Sequence, residues 1–148
     1  MVIRSHRSLH PNCMRPGLSA IPKKDKKKII ITGNSSPHIL ESIFLDKCYE
    51  PTEPNANRWD YIIFFDSGIN PSAKCIEVHS CNEISCIERK YNWLKNFIIN
   101  NELGSLNKYE FIWVYSNGDS LPRTSRIFKL RKLMLARTGM RGTGCIVI

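Results

Sequence analysis

No apolar run among the 148 residues approaches the ~20 needed to cross a bilayer, which excludes a membrane-spanning helix. The first twenty residues lack the apolar stretch of a secretory signal. Glycine is sparse, at eight residues, and none builds a phosphate-cradling loop. Gly33 stands alone, and Gly139, Gly142 and Gly144 do not precede a helix. No two cysteines have the C-x2-C spacing of a zinc ribbon. No internal repeat is visible, and the lysine-rich KKDKKK is the one low-complexity block. Acidic residues are absent from 120–148, and residues 1–28 contain one, Asp25.

That scarcity of acids gives the chain its electrostatic plan. Residues 1–28 hold eight Lys/Arg, residues 29–119 hold seven against twelve acids, and residues 120–148 hold seven against none. The net charge of +9 is therefore two basic ends around an acidic middle. Basic ends favour a polyanion, since neutralising phosphates releases condensed counterions. Solvated faces are the plainer explanation of the same residues. Residues 1–28 have no hydrophobic periodicity and read as a mobile basic arm, leaving 29–148 as one α/β domain. The arm's composition also fits an organelle transit peptide, though no amphipathic helix supports that. Several of the six cysteines sit where apolar residues belong, as reduced thiols do. With no signal sequence, the expected location is cytoplasmic.

The spacing predicts a strand over 29–32 and a helix opened by Ser36 and Pro37, with Leu40, Ile43 and Phe44 on its inner face up to about Tyr49. Residues 50–58 form a loop, and two apolar runs, 59–65 and 75–78, flank the turn-rich Ser67, Gly68, Asn70 and Pro71 as a hairpin. Ser80 to Glu83 has the form of a capping box. The helix it opens buries Ile84, Ile87, Tyr91, Leu94 and Ile98. A strand over 111–115 follows. Ser125 or Thr124 caps a basic helix to about Arg137, with Ile127, Leu130 and Met134 inward and Gly139 at its end. Residues 145–148 close the chain as a strand. This order predicts a mixed central sheet with helices packed on it.

The hairpin carries the chemistry. Side chains alternate along a strand, so Glu77 and His79 share a face, and a turn centred near Gly68–Ile69 sets Asp60 opposite Glu77. Two carboxylates and an imidazole converging on an apolar hairpin are costly to bury unpaired. Hard carboxylate oxygens suit Mg2+ or Mn2+, which polarises a phosphoryl oxygen and activates a water. His79 is a further ligand or a water-orienting base, and Lys90, Arg89 or Lys74 supplies charge stabilisation.

A helix, a hairpin bearing Asp and then Glu-x-His, a helix and a strand resemble the αβββαβ core of the PD-(D/E)XK phosphodiesterases, typically restriction and repair nucleases. The resemblance covers roughly residues 37–116 and implies a divalent metal on Asp60 and Glu77. Position 79 departs from it, with His79 where the family usually has Lys; Lys90 on the next helix is the natural substitute. Glu41 or Glu50 would match the acid of the family's first helix.

Rival patterns are weaker. Cys75, His79, Cys81 and Cys86 are near enough in sequence to bind zinc but have the wrong spacing. The C-terminal CIVI has the outline of a prenylation box, and an apolar strand explains it more simply. No Cys/His/Asn arrangement supports a cysteine hydrolase. The aromatics of the hairpin and of 111–115 would stack exposed bases, but core packing is the stronger role.

The sequence thus points to a metal-dependent nuclease-like domain. Asp60, Glu77, His79 and Lys90 are its catalytic candidates, and Asp60, Glu77 and His79 its metal ligands. Arg123, Arg126, Lys129, Arg131, Lys132 and Arg137 would track a nucleic-acid backbone. The alternative is a non-catalytic module that binds nucleic acid or a protein partner.

Overall fold

Residues 9–30, 38–66 and 73–148 are described by the computed structural model. A six-stranded mixed sheet forms the centre of the fold. Its strands are β1 (Met14–Pro16), β3 (Ile39–Phe44), β4 (Tyr61–Phe65), β5 (Ala73–His79), β6 (Tyr109–Tyr115) and β7 (Arg141–Thr143), in that spatial order. The first four pair antiparallel, while β5, β6 and β7 run parallel. Parallel neighbours need crossovers, here α3 (Ile84–Asn100) and α4 (Arg126–Thr138). Short helices α1 (Lys23–Lys26) and α2 (Leu45–Tyr49) precede β2 (Ile29–Ile30) and β4, respectively. β2 pairs parallel with the terminal β8 (Ile146–Val147). Among the described residues no helix is long and apolar enough to cross a membrane.

Alternation along the strands fills two cores. Ile62, Phe64, Cys75, Phe111 and Trp113 pack with Ile87, Leu94 and Ile98 of α3. Tyr61, Ile63, Phe65, Ile76 and Ile112 face Ile21, Ile146 and Ile148 on the other side. With both faces covered, all five residues of β4 are buried, which is why its sequence, YIIFF, shows no polar alternation. Trp59, ahead of the strand, joins the α3 side and so parts from Tyr61 and Phe65.

The mixed α/β sheet is as the sequence predicts, but four local readings are corrected. First, residues 9–28 are not a loose arm. Leu9 and Ile21 enter the two cores, β1 adds an edge strand, and the Ala20 amide donates to Ser42 Oγ at 3.2 Å. The high Lys/Arg content hides the few apolar anchors. Second, residues 39–44 are a strand rather than the start of a helix. Leu40, Ile43 and Phe44 fit a helical stripe, but pairing with both β1 and β4 decides the conformation. Ser36 and Pro37, residues 31–34 and the turn at 67–72 lie outside the described residues. Third, α3 begins at Ile84 with no side-chain cap from Glu83, while Ser80 bonds Asn82 instead. Fourth, Cys13 and Cys48 form a disulfide with a Cα separation of 5.9 Å, because β1 lies against β3, which leads into α2. Cys75, Cys81, Cys86 and Cys145 are free. The disulfide removes the reduced-thiol argument on which a cytoplasmic location rests.

At the other end the local signals hold. Ser125 accepts the Phe128 amide at 3.2 Å, and Gly139 closes α4 in the left-handed conformation at φ 69°. The inward face of α4 differs from expectation. Arg131 and Met134 are buried, whereas Ile127 and Leu130 are exposed, as is Leu133 at 67%.

Candidate functional site

β4 and β5 meet in the predicted register, with Tyr61 opposite Ile76, so the residue before β4, Asp60, lies beside Glu77. The Asp60 amide donates to Glu77 Oε2 at 2.9 Å, and the Val78 amide donates to Asp60 Oδ2 at 3.0 Å. One oxygen of each carboxylate is thereby fixed by the backbone. The remaining pair, Asp60 Oδ1 and Glu77 Oε1, faces α3, where Lys90 Nζ is bonded to Glu77 and lies 3.7 Å from Asp60. His79, two residues along β5, brings Nδ1 to 3.8 Å from Glu77 Oε1, and its Nε2 lies 2.5 Å from Glu83 Oε2.

Burial dominates the electrostatics. Glu77 is 0% exposed, and desolvation followed by the charge of Asp60 pushes its pKa well above the usual carboxylate range, against the pull of Lys90. Asp60 is raised for the same first reason, with Lys90 and the Val78 amide opposing. Burial alone would depress Lys90, but the two carboxylates outweigh it and hold the ammonium protonated. Two carboxylates thus share one cation, and either a retained proton or a second positive charge completes the balance.

Asp60 is the member of the pair that reaches the surface. It borders an open cleft of about 670 Å3 with Lys24, Asp25, Lys28, Asp46 and Ser116. Tyr61 donates to Asp25 Oδ2 at 2.5 Å, which anchors α1 along this cleft. Asp46 and Asp25, which both bear electrostatically on Asp60, escaped the sequence reading. Nothing in their spacing marks them, since α1 and α2 reach the site only through tertiary packing. Glu41 is instead on β3, paired with Pro16 and Phe64, and Glu50 ends α2.

Asp60 Oδ1 and Glu77 Oε1 are hard donors suited to Mg2+ or Mn2+, and they are the same two oxygens that Lys90 faces. The donor chemistry and the unbalanced charge both fit such an ion. His79 Nε2 is turned to Glu83, so its share in that site is limited to the Nδ1 side.

The expected nucleic-acid residues divide. Arg123, Arg126, Lys129 and Lys132 are exposed on or before α4. Arg137 is exposed but paired with Glu88. Arg131 is a correction. At 3% exposure it grips Asp119 with two bonds of 3.0 and 2.6 Å, donates to the Cys81 carbonyl at 3.1 Å and stacks over Tyr115. A guanidinium so engaged is structural and does not reach a phosphate. Base stacking is likewise ruled out for Trp59, Tyr61, Phe65, Phe111, Trp113 and Tyr115, all of which are buried.

Cys75 and Cys81 are both buried, Cys75 between sheet and helix and Cys81 against Ser120 Oγ at 3.6 Å, so the four-residue zinc set does not assemble. Compared with family models, curated proteins and solved structures, the chain matches none.

Proposed function

We propose that the domain is a divalent-metal-dependent nucleic-acid phosphodiesterase of the PD-(D/E)XK type. The observation that carries this reading is the juxtaposition of Asp60 and Glu77 on neighbouring strands, with Lys90 supplied from the following helix. The order of three antiparallel strands, a helix and a parallel strand from β3 to β6 supports it as well. Among the described residues the four-residue α1 is the only helix ahead of β3.

A bound Mg2+ or Mn2+ would neutralise phosphoryl charge and lower the pKa of a water. Asp60 and Glu77 would hold it. Lys90, beside both carboxylates, would supply an ammonium to negative charge developing on the phosphoryl oxygens. Lys24 and Lys28 line the cleft at Asp60 and fit the flanking phosphates of a polynucleotide. His79, whose Nδ1 lies 3.8 Å from Glu77 Oε1, would serve as the base that accepts the water's proton.

A second reading is favoured by one observation. Lys90 faces both free carboxylate oxygens, and Glu77 is fully buried, so the cluster also serves as a closed structural ion network in a non-catalytic binding module. Incubation with single- and double-stranded DNA and RNA in Mg2+ or Mn2+ separates the two. The nuclease reading expects cleavage of at least one polymer, lost to background in Asp60→Asn and Glu77→Gln and blocked by chelation. No cleavage by the wild type, or equal cleavage by the variants, leaves the binding module standing.

A further inference from the structure

The chain reversal between β5 and α3 brings together three groups, of which the phosphodiesterase reading uses His79 alone. His79 ends β5, Glu83 precedes α3 and Cys86 lies in its first turn. One ring nitrogen of His79, a Glu83 carboxylate oxygen and Cys86 Sγ all lie within 4.8 Å of one another. Glu83 makes no side-chain cap to its helix and turns back to His79 at 2.5 Å instead. On the far side of the imidazole, Nδ1 faces Glu77 Oε1 at 3.8 Å. A carboxylate behind the unused ring nitrogen is the usual outer support of a metal-bound histidine.

We propose that His79, Glu83 and Cys86 form a site for a borderline-soft transition metal, Zn2+ in the first instance, distinct from the hard-oxygen pair at Asp60 and Glu77. An imidazole nitrogen, a thiolate and a carboxylate oxygen are zinc ligands, and sulfur discriminates against Mg2+. Three protein ligands leave a fourth position, which opens outward because Glu83 is exposed and His79 and Cys86 are half-buried. On binding, the Cys86 thiol loses its proton to solvent, and the ion enters between Nε2 and the Glu83 oxygen as these move apart. The proposal stands whether or not the domain is a nuclease.

Co2+ is the probe, since thiolate ligation gives a near-ultraviolet charge-transfer band that carboxylate and imidazole do not. The full-length protein, with the Cys13–Cys48 disulfide intact, is titrated with Co2+ alone and then with Zn2+. The expected result is one Co2+ per chain with a thiolate band, displaced by stoichiometric Zn2+. The band is lost in Cys86→Ser and kept in Cys145→Ala, and His79→Gln weakens Co2+ binding at least tenfold. Asp60→Asn leaves the band unchanged. Absence of a thiolate band in the wild type overturns the proposal, as does a band that survives Cys86→Ser or disappears in Asp60→Asn. Circular dichroism identical to wild type qualifies each variant, and His79→Gln supplies an independent test should Cys86→Ser misfold.

Discussion

Glu77 is the residue on which the site turns, because a fully buried carboxylate must either keep its proton or be matched by positive charge. Burial, and after it the charge of Asp60, raises its pKa above the ordinary 4.5. The folded chain therefore holds this proton more tightly than the unfolded chain. The associated stability is complete below pH 4.5 and is lost as pH rises through the folded-state pKa. Urea unfolding across pH 4.5 to 8 in EDTA will show a smaller loss of stability on raising the pH in Glu77→Gln than in wild type. Arg131 gives the second residue-scale expectation. Arg131→Ala removes charge-assisted bonds to Asp119 and the Cys81 carbonyl and costs about 2 kcal/mol. Arg126→Ala on the exposed face stays within about 0.5 kcal/mol, and urea midpoints separate the two. A helical wheel counts apolar side chains and so assigns Ile127 and Leu130 inward. It gives no weight to a guanidinium that carries its own acid and aromatic partners, which is why Arg131 was illegible from sequence.

Elements were readable wherever one local signal acted without a rival. The Asp60–Glu77 register follows from the symmetry of the hairpin about its turn, and α4 from a serine cap and a terminal glycine. β3 was not readable, because Leu40, Ile43 and Phe44 satisfy a helical stripe and the deciding partners, β1 and β4, come from distant sequence. β7 was missed for a related reason: RGT has no β-rich composition, and its place beside β6 depends on a close approach. A Cβ at Gly142 would lie 1.9 Å from Tyr115 Oη, so any larger residue would force Tyr115 or β7 to shift. Gly142→Ala is expected to cost about 1–3 kcal/mol through overpacking, read as a lower thermal midpoint. Hydrogen exchange will show the loss concentrated in β7 and the adjoining residues of β6.

On the scale of the whole molecule, residues 9–28 complete the domain instead of trailing from it. They supply an edge strand, a core side chain to each face of the sheet, and the lysines of the cleft at Asp60. The Cys13–Cys48 bridge spans 35 residues of sequence, and the chain-entropy model assigns such a closure about 3–4 kcal/mol. Reduction, or Cys13→Ser, is expected to lower stability by up to that amount in urea unfolding, while the Asp60–Glu77 pair stays in place. No spacing argument pairs these two cysteines, since their approach depends on β1 joining the sheet. The same packing brings Asp25 and Asp46 toward Asp60, out of reach of any local reading. Calorimetric titration of Mn2+ into wild type, Asp60→Asn and Lys90→Met tests the proposal that Asp60 and Glu77 bind a divalent metal in competition with Lys90. The expected result is one ion bound by wild type, none by Asp60→Asn and tighter binding by Lys90→Met. Absence of binding in both wild type and Lys90→Met, or undiminished binding by Asp60→Asn, would contradict it.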